Sequence, residues 1–219
     1  MDIKIVKKRI KNINIKVKPN CDVILTAPIG TKDKYINYIL EKRMGWIEKK
    51  IKYFKENQPS VKEYISGEEF YYLGKRYRLK IIIENDINYF IKLKKGYLEL
   101  HINKNNNNFK DKERFIYSWY YEKAEKYFLK TLNRLNEQTV KKAIKTIRIK
   151  KMKTRWGSCN FKKHYINLNI ELIKNRKEFI EYVILHELTH LIYPNHSKEF
   201  YNYIATYMPN WKERKKMIV

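Results

Sequence analysis

The feature that most constrains this chain is an apolar helical pattern that carries two histidines and a glutamate. Apolar residues recur there at helical spacing: Phe179, Ile180, Val183, Ile184, Leu188, Leu191 and Ile192. The spacing predicts a buried helix from about residue 177 to residue 193. Pro194 ends this helix, because proline lacks the amide hydrogen that continues a helix and restrains the residue before it.

The histidines and the glutamate form the motif His186-Glu187-Leu188-Thr189-His190. Residues four apart on a helix are separated by about 40° around its axis, so the two imidazoles share one face and Glu187 lies beside them. This arrangement is typical of a catalytic zinc site in which one position stays open for water. The motif therefore predicts a metal-dependent hydrolase. The alternative is a buried helix whose histidines are only hydrogen-bonded.

A catalytic zinc site of this kind needs a third protein ligand. His196 follows the second motif histidine by six residues, and a turn after the helix would bring it back towards the pair. Glu199 and Glu213 are the alternatives. Glu199 requires the next helix to face its first turn inward, and Glu213 lies in a charged segment typical of a solvated face. His196 is the predicted ligand.

The second large feature is positive charge, with 49 Lys and Arg against 23 Asp and Glu in 219 residues and a formal net charge of +26. Such an excess favours polyanionic partners, such as nucleic acid or nucleotides. The many Lys, Ile, Asn and Tyr residues, with only six glycines, also fit an AT-rich coding bias that raises the lysine content without any binding role. Polyanion binding therefore stays open.

Hydropathy and cysteine content limit the classes of protein to which this chain can belong. No apolar run approaches the ~20 residues that span a bilayer, and the first residues lack the apolar core of a signal peptide. We therefore expect a cytoplasmic protein without a membrane partner. The cysteines, Cys21 and Cys159, are far apart and lack metal-ligand spacing, so a disulfide framework is not indicated.

The first half of the chain is predicted to be rich in β-strands. Its patterns predict these elements: strands at 13–18 and 23–25, a helix at 32–54, and hairpins at 69–83 and 89–101. His101, in the last of these strands, is expected to be a surface histidine. The sequence thus begins with a β-rich region over residues 1–104.

The second half is predicted to be mainly helical. The polar run Asn105–Asn108 marks the boundary, and a long helix is expected over residues 109–136. Strand-like segments between residues 147 and 169 precede the helix that carries the histidines. Together the two halves predict an α+β protein.

Four further segments stand out beside the histidine helix: Leu73–Tyr77, Lys153–Cys159, Ile166–Asn169 and Asn195–Phe200. With the His-Glu-x-x-His motif they resemble the YgjP-like metal-dependent hydrolases, relatives of the SprT-like zinc metallopeptidases. The resemblance covers nearly the whole chain and implies a compact helical zincin-like catalytic core over residues 109–219. It also implies zinc ligands at the two motif histidines and His196, with the catalytic carboxylate at Glu187.

The chemistry of such a site assigns a role to each group. Zinc lowers the pKa of its bound water to ~7, and Glu187 is the predicted base that takes the water proton and passes it to the leaving group. Arg155 is the predicted donor to the developing oxyanion, because a guanidinium binds oxyanions bidentately; a surface arginine is the alternative. Other divalent metals, such as manganese, cobalt or nickel, also fit imidazole ligands.

Three functions remain in view. The first is a zinc metallopeptidase that acts on protein or peptide substrates. The second is a metal-dependent nucleoside-triphosphate pyrophosphatase, in which lysines bind the triphosphate. The third is a nucleic-acid-associated zinc module without catalysis, which is disfavoured because structural zinc sites are usually closed by four protein ligands and because Glu187 would have no role. The metallopeptidase is the prediction.

Overall fold

The computed structural model describes residues 3–18, 20–56, 62–85 and 88–218. The chain divides into two compact units, Met1–Val61 and Lys62–Val219. Both units combine helices with β-sheets, which confirms the predicted α+β class. The predicted domain boundary between residues 104 and 109 stays a prediction.

In the first unit a helix follows a three-stranded sheet. The strands are β1 (Ile3–Lys8), β2 (Asn14–Val17) and β3 (Val23–Pro28), and the helix is α1 (Asp33–Glu56). The central strand β3 pairs parallel with β1 and antiparallel with β2. The core of this unit consists of Val17, Val23, Leu25, Ala27, Ile36, Leu40 and Ile47. Strand β1 was not predicted, because lysine occupies three of its six positions.

The second unit begins with a four-stranded sheet. Its strands are β4 (Glu69–Tyr72), β5 (Lys75–Ile83), β6 (Tyr89–Lys94) and β7 (Tyr97–Ile102), in the order β4-β5-β7-β6. Strands β4 and β5 form one antiparallel hairpin and β6 and β7 another, as predicted, while β5 and β7 pair in parallel. The inner face of this sheet packs into one core with the helices that follow.

His101 in β7 is buried, so the prediction of a surface histidine was wrong. Only 4% of the residue is exposed. Its Nδ1 contacts a carboxylate oxygen of Glu84, and its ring stacks on Phe90 at a centroid distance of 4.1 Å. The alternation in β7 suggested a solvent face, but side chains of the neighbouring strands cover that face.

A second, smaller sheet connects the long helix α2 (Phe109–Gln138) to the histidine helix. Its strands are β8 (Thr146–Lys150), β9 (Gly157–Asn160) and β10 (Tyr165–Asn169). The central strand β10 pairs parallel with β8 and antiparallel with β9. Strand β9 is therefore an edge strand of this sheet.

The chain ends in three helices: α3 (Lys177–Thr189), α4 (Lys198–Tyr207) and α5 (Trp211–Arg214). Helix α3 begins at the predicted residue and ends four residues earlier than predicted, because the backbone turns before Pro194. The Ser197 hydroxyl caps α4 by accepting a hydrogen bond from the Phe200 amide. Helix α3 packs against α2, α4, α5 and strand β9, which places its motif at the junction of these elements.

Candidate metal centre

The structure brings the three predicted imidazoles together. His186 lies on α3, His190 caps the end of that helix, and the following turn returns His196 towards both rings. One ring nitrogen from each histidine lies within 4.8 Å of the other two. The Nε2 atoms of His186 and His196 are 2.9 Å apart. Three nitrogen lone pairs can therefore converge on one cation.

The protonation state of these imidazole rings is also compatible with binding a metal ion. The His190 Nδ1 lies 3.1 Å from the carbonyl oxygen of Tyr193, to which it can donate, so its Nε2 is free to act as a ligand. Burial, with the neighbouring His190 and His196, lowers the pKa of His186 to about 3. Burial likewise lowers the pKa of His190. Neutral imidazole is the form that binds metal ions.

The spacing of the nitrogens is close to what a tetrahedral ion requires. Bonds of about 2.0–2.1 Å at tetrahedral angles place two zinc-bound nitrogens roughly 3.3 Å apart. The 2.9 Å between His186 and His196 thus needs only a small outward adjustment. The alternative ligands Glu199 and Glu213 are both exposed and do not belong to the cluster.

Glu187 lies beside the triad and is almost fully buried. Only 6% of the residue is exposed, and burial raises the pKa of its carboxyl to about 8, against an opposing effect of the Arg155 charge. The carboxylate lies directly against the backbone at Gly157, the first residue of β9. A Cβ at that position would lie 2.7 Å from both Cγ and Oε1 of Glu187.

Gly157 is a close neighbour of Glu187 that the sequence did not indicate. The residue belongs to one of the segments that resemble the family, yet nothing in a single sequence indicates that a carboxylate thirty positions later needs its space. The lack of a side chain lets β9 approach α3 closely enough to cover Glu187. The same approach excludes solvent from the carboxylate and thereby contributes to its raised pKa.

Arg155 is exposed and lies close enough to Glu187 to lower the pKa of that carboxyl. The loop that carries it is held by Asn169, a residue that sequence reasoning gave no role. The Asn169 side-chain amide donates to the carbonyl oxygens of Met152 and Arg155, in each case at 2.9 Å. Its side-chain oxygen accepts from the Met152 amide at 3.2 Å. Asn169 therefore positions the loop that leads into β9.

A cavity of about 340 Å³ opens beside His186 and Glu187. A larger cavity of about 530 Å³ lies in the first unit, between β2 and α1. The larger cavity contains none of the predicted site residues, whereas His186 and Glu187 line the smaller one.

Comparison with known protein families identifies the family of this chain. The model of the YgjP-like metallopeptidase domain matches residues 11–218. The chain belongs to the YgjP-like metallopeptidase family. This membership confirms the predicted enzyme class, a metal-dependent hydrolase of the peptidase type.

Two solved structures are similar to this YgjP-like chain over a smaller part. The metallopeptidase zymogen of Methanocaldococcus jannaschii jannalysin is 29% identical, with 40% of this chain and 89% of that chain covered and a TM-score of 0.36. The metallopeptidase zymogen of Pyrococcus abyssi abylysin is 23% identical, with 40% and 87% covered and a TM-score of 0.37. A search of curated proteins found no match.

The family narrows the predicted partners to proteins or peptides, whereas nucleotides and nucleic acid gain no support from it. A divalent metal is implied by the family. Across the residues that the structure describes, we find no helix with both the length and the apolar character needed to cross a bilayer.

The burial of Glu187 predicts an unusual stability effect in the metal-free protein. The folded pKa of about 8 lies above the ordinary value of 4.5, so the carboxyl contributes stability that is complete below 4.5 and is lost as the pH rises to 8. Glutamine stays neutral throughout. Glu187→Gln should therefore leave stability nearly unchanged near pH 4.5 and raise the unfolding free energy near pH 9, by on the order of 2–4 kcal/mol.

Urea unfolding of chelator-treated proteins across this pH range measures the effect. Glu125→Gln is the matched control, because Glu125 is an exposed carboxylate on α2 and the same substitution there should change stability little at any pH. If the unfolding free energies of wild type and Glu187→Gln changed equally with pH, the Glu187 carboxyl would not be desolvated.

Proposed function

We propose that this YgjP-like protein hydrolyses peptide bonds with a zinc ion held by His186, His190 and His196 and with Glu187 as the general base. The observation that carries the proposal is the buried carboxylate of Glu187 beside three converging imidazole nitrogens. Zinc is the proposed metal, since neutral imidazole is a preferred ligand of zinc and three ligands leave one position open.

The protein groups divide the work of hydrolysis. A divalent cation held by the three histidines would lower the pKa of a bound water and polarise the peptide carbonyl. Glu187 takes the proton from the attacking water and delivers it to the amide nitrogen as the peptide bond breaks. Burial raises the pKa of this carboxyl in the metal-free protein. A divalent cation beside it would lower that pKa again and favour the ionised form that acts as a base. The exposed Arg155 guanidinium is the proposed donor to the negative charge that develops on the carbonyl oxygen.

Strand β9 offers a way to hold the substrate. It is an edge strand that pairs with β10 on one side, and its first residue, Gly157, contacts Glu187. An extended peptide that pairs with the other side of β9 would run past the catalytic carboxylate, with main-chain hydrogen bonds fixing its position. This mode needs no particular side chain on the substrate, so sequence preference has to come from pockets.

A metal-exchange experiment tests the proposed function. Zinc-loaded protein should cleave casein and a set of quenched fluorescent peptides, and chelation followed by zinc addition should abolish and restore cleavage. Nucleoside triphosphates and single-stranded DNA belong in the same panel. Release of pyrophosphate without peptide cleavage, or cleavage that resists full metal removal, would overturn the proposal.

His196→Ala is expected to weaken zinc affinity by about 100-fold or more, because one of three protein ligands is lost. Zinc per protein after dialysis against a weak chelator measures the effect, together with peptidase activity. His164→Asn is the control, since His164 lies outside the cluster and asparagine tolerates its positive φ of 52°. Equal zinc content in His196→Ala and wild type would remove His196 from the ligand set.

A further inference from the structure

The cavity beside His186 and Glu187 has a distinct chemical character. One face of α3 forms its floor, because Phe179, Tyr182 and Val183 recur at helical spacing ahead of the metal-site residues. Trp156 and Ile218 add to the walls, and Lys215 contributes the one cationic group among the lining residues. Away from His186 and the Glu187 carboxyl, which line its metal-site end, the cavity is an apolar and aromatic pocket with an ammonium group at its edge.

The walls of this pocket are held in place by packing. Phe179, Tyr182 and Val183 are 2%, 5% and 5% exposed. The Trp156 ring packs edge-on against Phe179, with centroids 5.6 Å apart, and the Tyr182 ring stacks on Trp211 at 6.1 Å. These contacts fix the ring positions, so the part of the pocket formed by Trp156 and α3 exists before any ligand arrives.

Lys215 differs from the buried residues of α3 in this pocket because it is exposed and its side chain can reorient. None of the ion pairs found among the described residues involves its ammonium group. By contrast, the nearby Arg214 is paired with Glu181 at 2.6 Å. An unpaired ammonium at the edge of an apolar pocket attracts a carboxylate and repels a cation.

We propose that this pocket binds the substrate side chain next to the scissile bond and selects large apolar residues, above all aromatic ones. Lys215 then favours an acidic residue at the substrate position next to the one that enters the pocket. This inference rests on the proposed peptidase function and names its substrate class. Burial of a large apolar side chain in this pocket stabilises the bound peptide, and contacts between aromatic rings add to that effect. A basic side chain would have to lose its water in an apolar pocket near a like charge.

The first test uses peptides identical except at the residue that enters the pocket. For zinc-loaded wild type we expect kcat/KM for the Phe peptide to exceed that for the Ala peptide by about 10- to 100-fold, and the Lys peptide to be cleaved more slowly than either. Val183→Phe should fill the pocket and remove most of the preference for Phe, with the Ala peptide still cleaved. Ile218→Trp, at an exposed wall position, is a second filling variant in case Val183→Phe does not fold.

The second test addresses Lys215. Two peptides are compared that carry Asp or Lys beside the substrate residue that enters the pocket. The kcat/KM of the Asp peptide divided by that of the Lys peptide should fall by roughly 10-fold in Lys215→Glu. Lys216→Glu is the matched control, because it makes the same charge change one residue along the chain, at an exposed position that does not line the pocket. Equal falls in both variants would assign the preference to overall charge and overturn the role of Lys215.

A binding measurement separates recognition from turnover. Zinc-loaded Glu187→Gln should bind the Phe peptide at least about 10-fold more tightly than the Ala peptide in fluorescence anisotropy. Metal-dependent cleavage with equal kcat/KM for Phe, Ala and Lys peptides would overturn the pocket inference and leave the peptidase proposal standing. Failure of zinc-loaded protein to cleave any peptide would overturn the proposed function, and the inference with it.

Discussion

Glu187→Gln is expected to lower kcat for peptide hydrolysis by about 1,000-fold, within the range that removal of a general base produces. Glutamine has nearly the shape of glutamate and keeps the buried position against Gly157. Its amide cannot accept the proton of the attacking water, so the step that Glu187 assists loses its base. The histidine nitrogens are untouched, and zinc content should therefore stay at the wild-type level.

Single-turnover kinetics with a fluorescent peptide, together with zinc analysis of the same samples, measures this effect. Glu125→Gln, on the exposed surface of α2, should retain the wild-type kcat. Wild-type turnover in Glu187→Gln would exclude Glu187 as the base. Loss of zinc from the variant would instead assign Glu187 to the metal shell or to the support of the histidines.

Gly157→Ala is expected to lower kcat by about 100-fold, because a displacement of about 1 Å in a catalytic group has an effect of this size. The added Cβ would lie 2.7 Å from Glu187 Cγ and Oε1 and 2.9 Å from Cδ, so the carboxylate or the strand must move. Overpacking of this kind also destabilises a protein by roughly 1–3 kcal/mol. Zinc content should not change, because the three atoms nearest the added Cβ all belong to Glu187 and none to a histidine.

Two comparisons make the Gly157 experiment specific. Gly45→Ala in α1 is the control, since no atom outside the neighbouring residues and backbone of its own helix lies within 4 Å of its added Cβ. Alanine in a helix should stabilise by up to about 1 kcal/mol. In the Glu187→Gln background, Gly157→Ala should reduce kcat little further, because its effect acts through the carboxylate that has already been removed. Full additivity of the two losses would mean that Gly157 acts on something other than Glu187.

Short-range sequence patterns were enough to predict many of the helices and strands. The apolar spacing of α3 indicated its start at residue 177, and the two hairpins and α2 were likewise expected from periodicity and turn residues. These elements form from interactions between residues close in sequence, which a single chain displays directly. The grouping of His186, His190 and His196 was predictable for the same reason, since all three lie within eleven consecutive residues. Their role as zinc ligands stays a prediction.

Residues distant in sequence determine the environment of the motif from His186 to His190. Gly157 makes room for the Glu187 carboxylate, Asn169 holds the Arg155 loop, and Trp156 and Lys215 complete the pocket. His101 shows the same limit, because the strands beside it bury a face that alternation marks as exposed. The sequence by itself determined which groups could perform the chemistry. Only the tertiary structure decided their burial, pKa and access, because these depend on packing between distant segments.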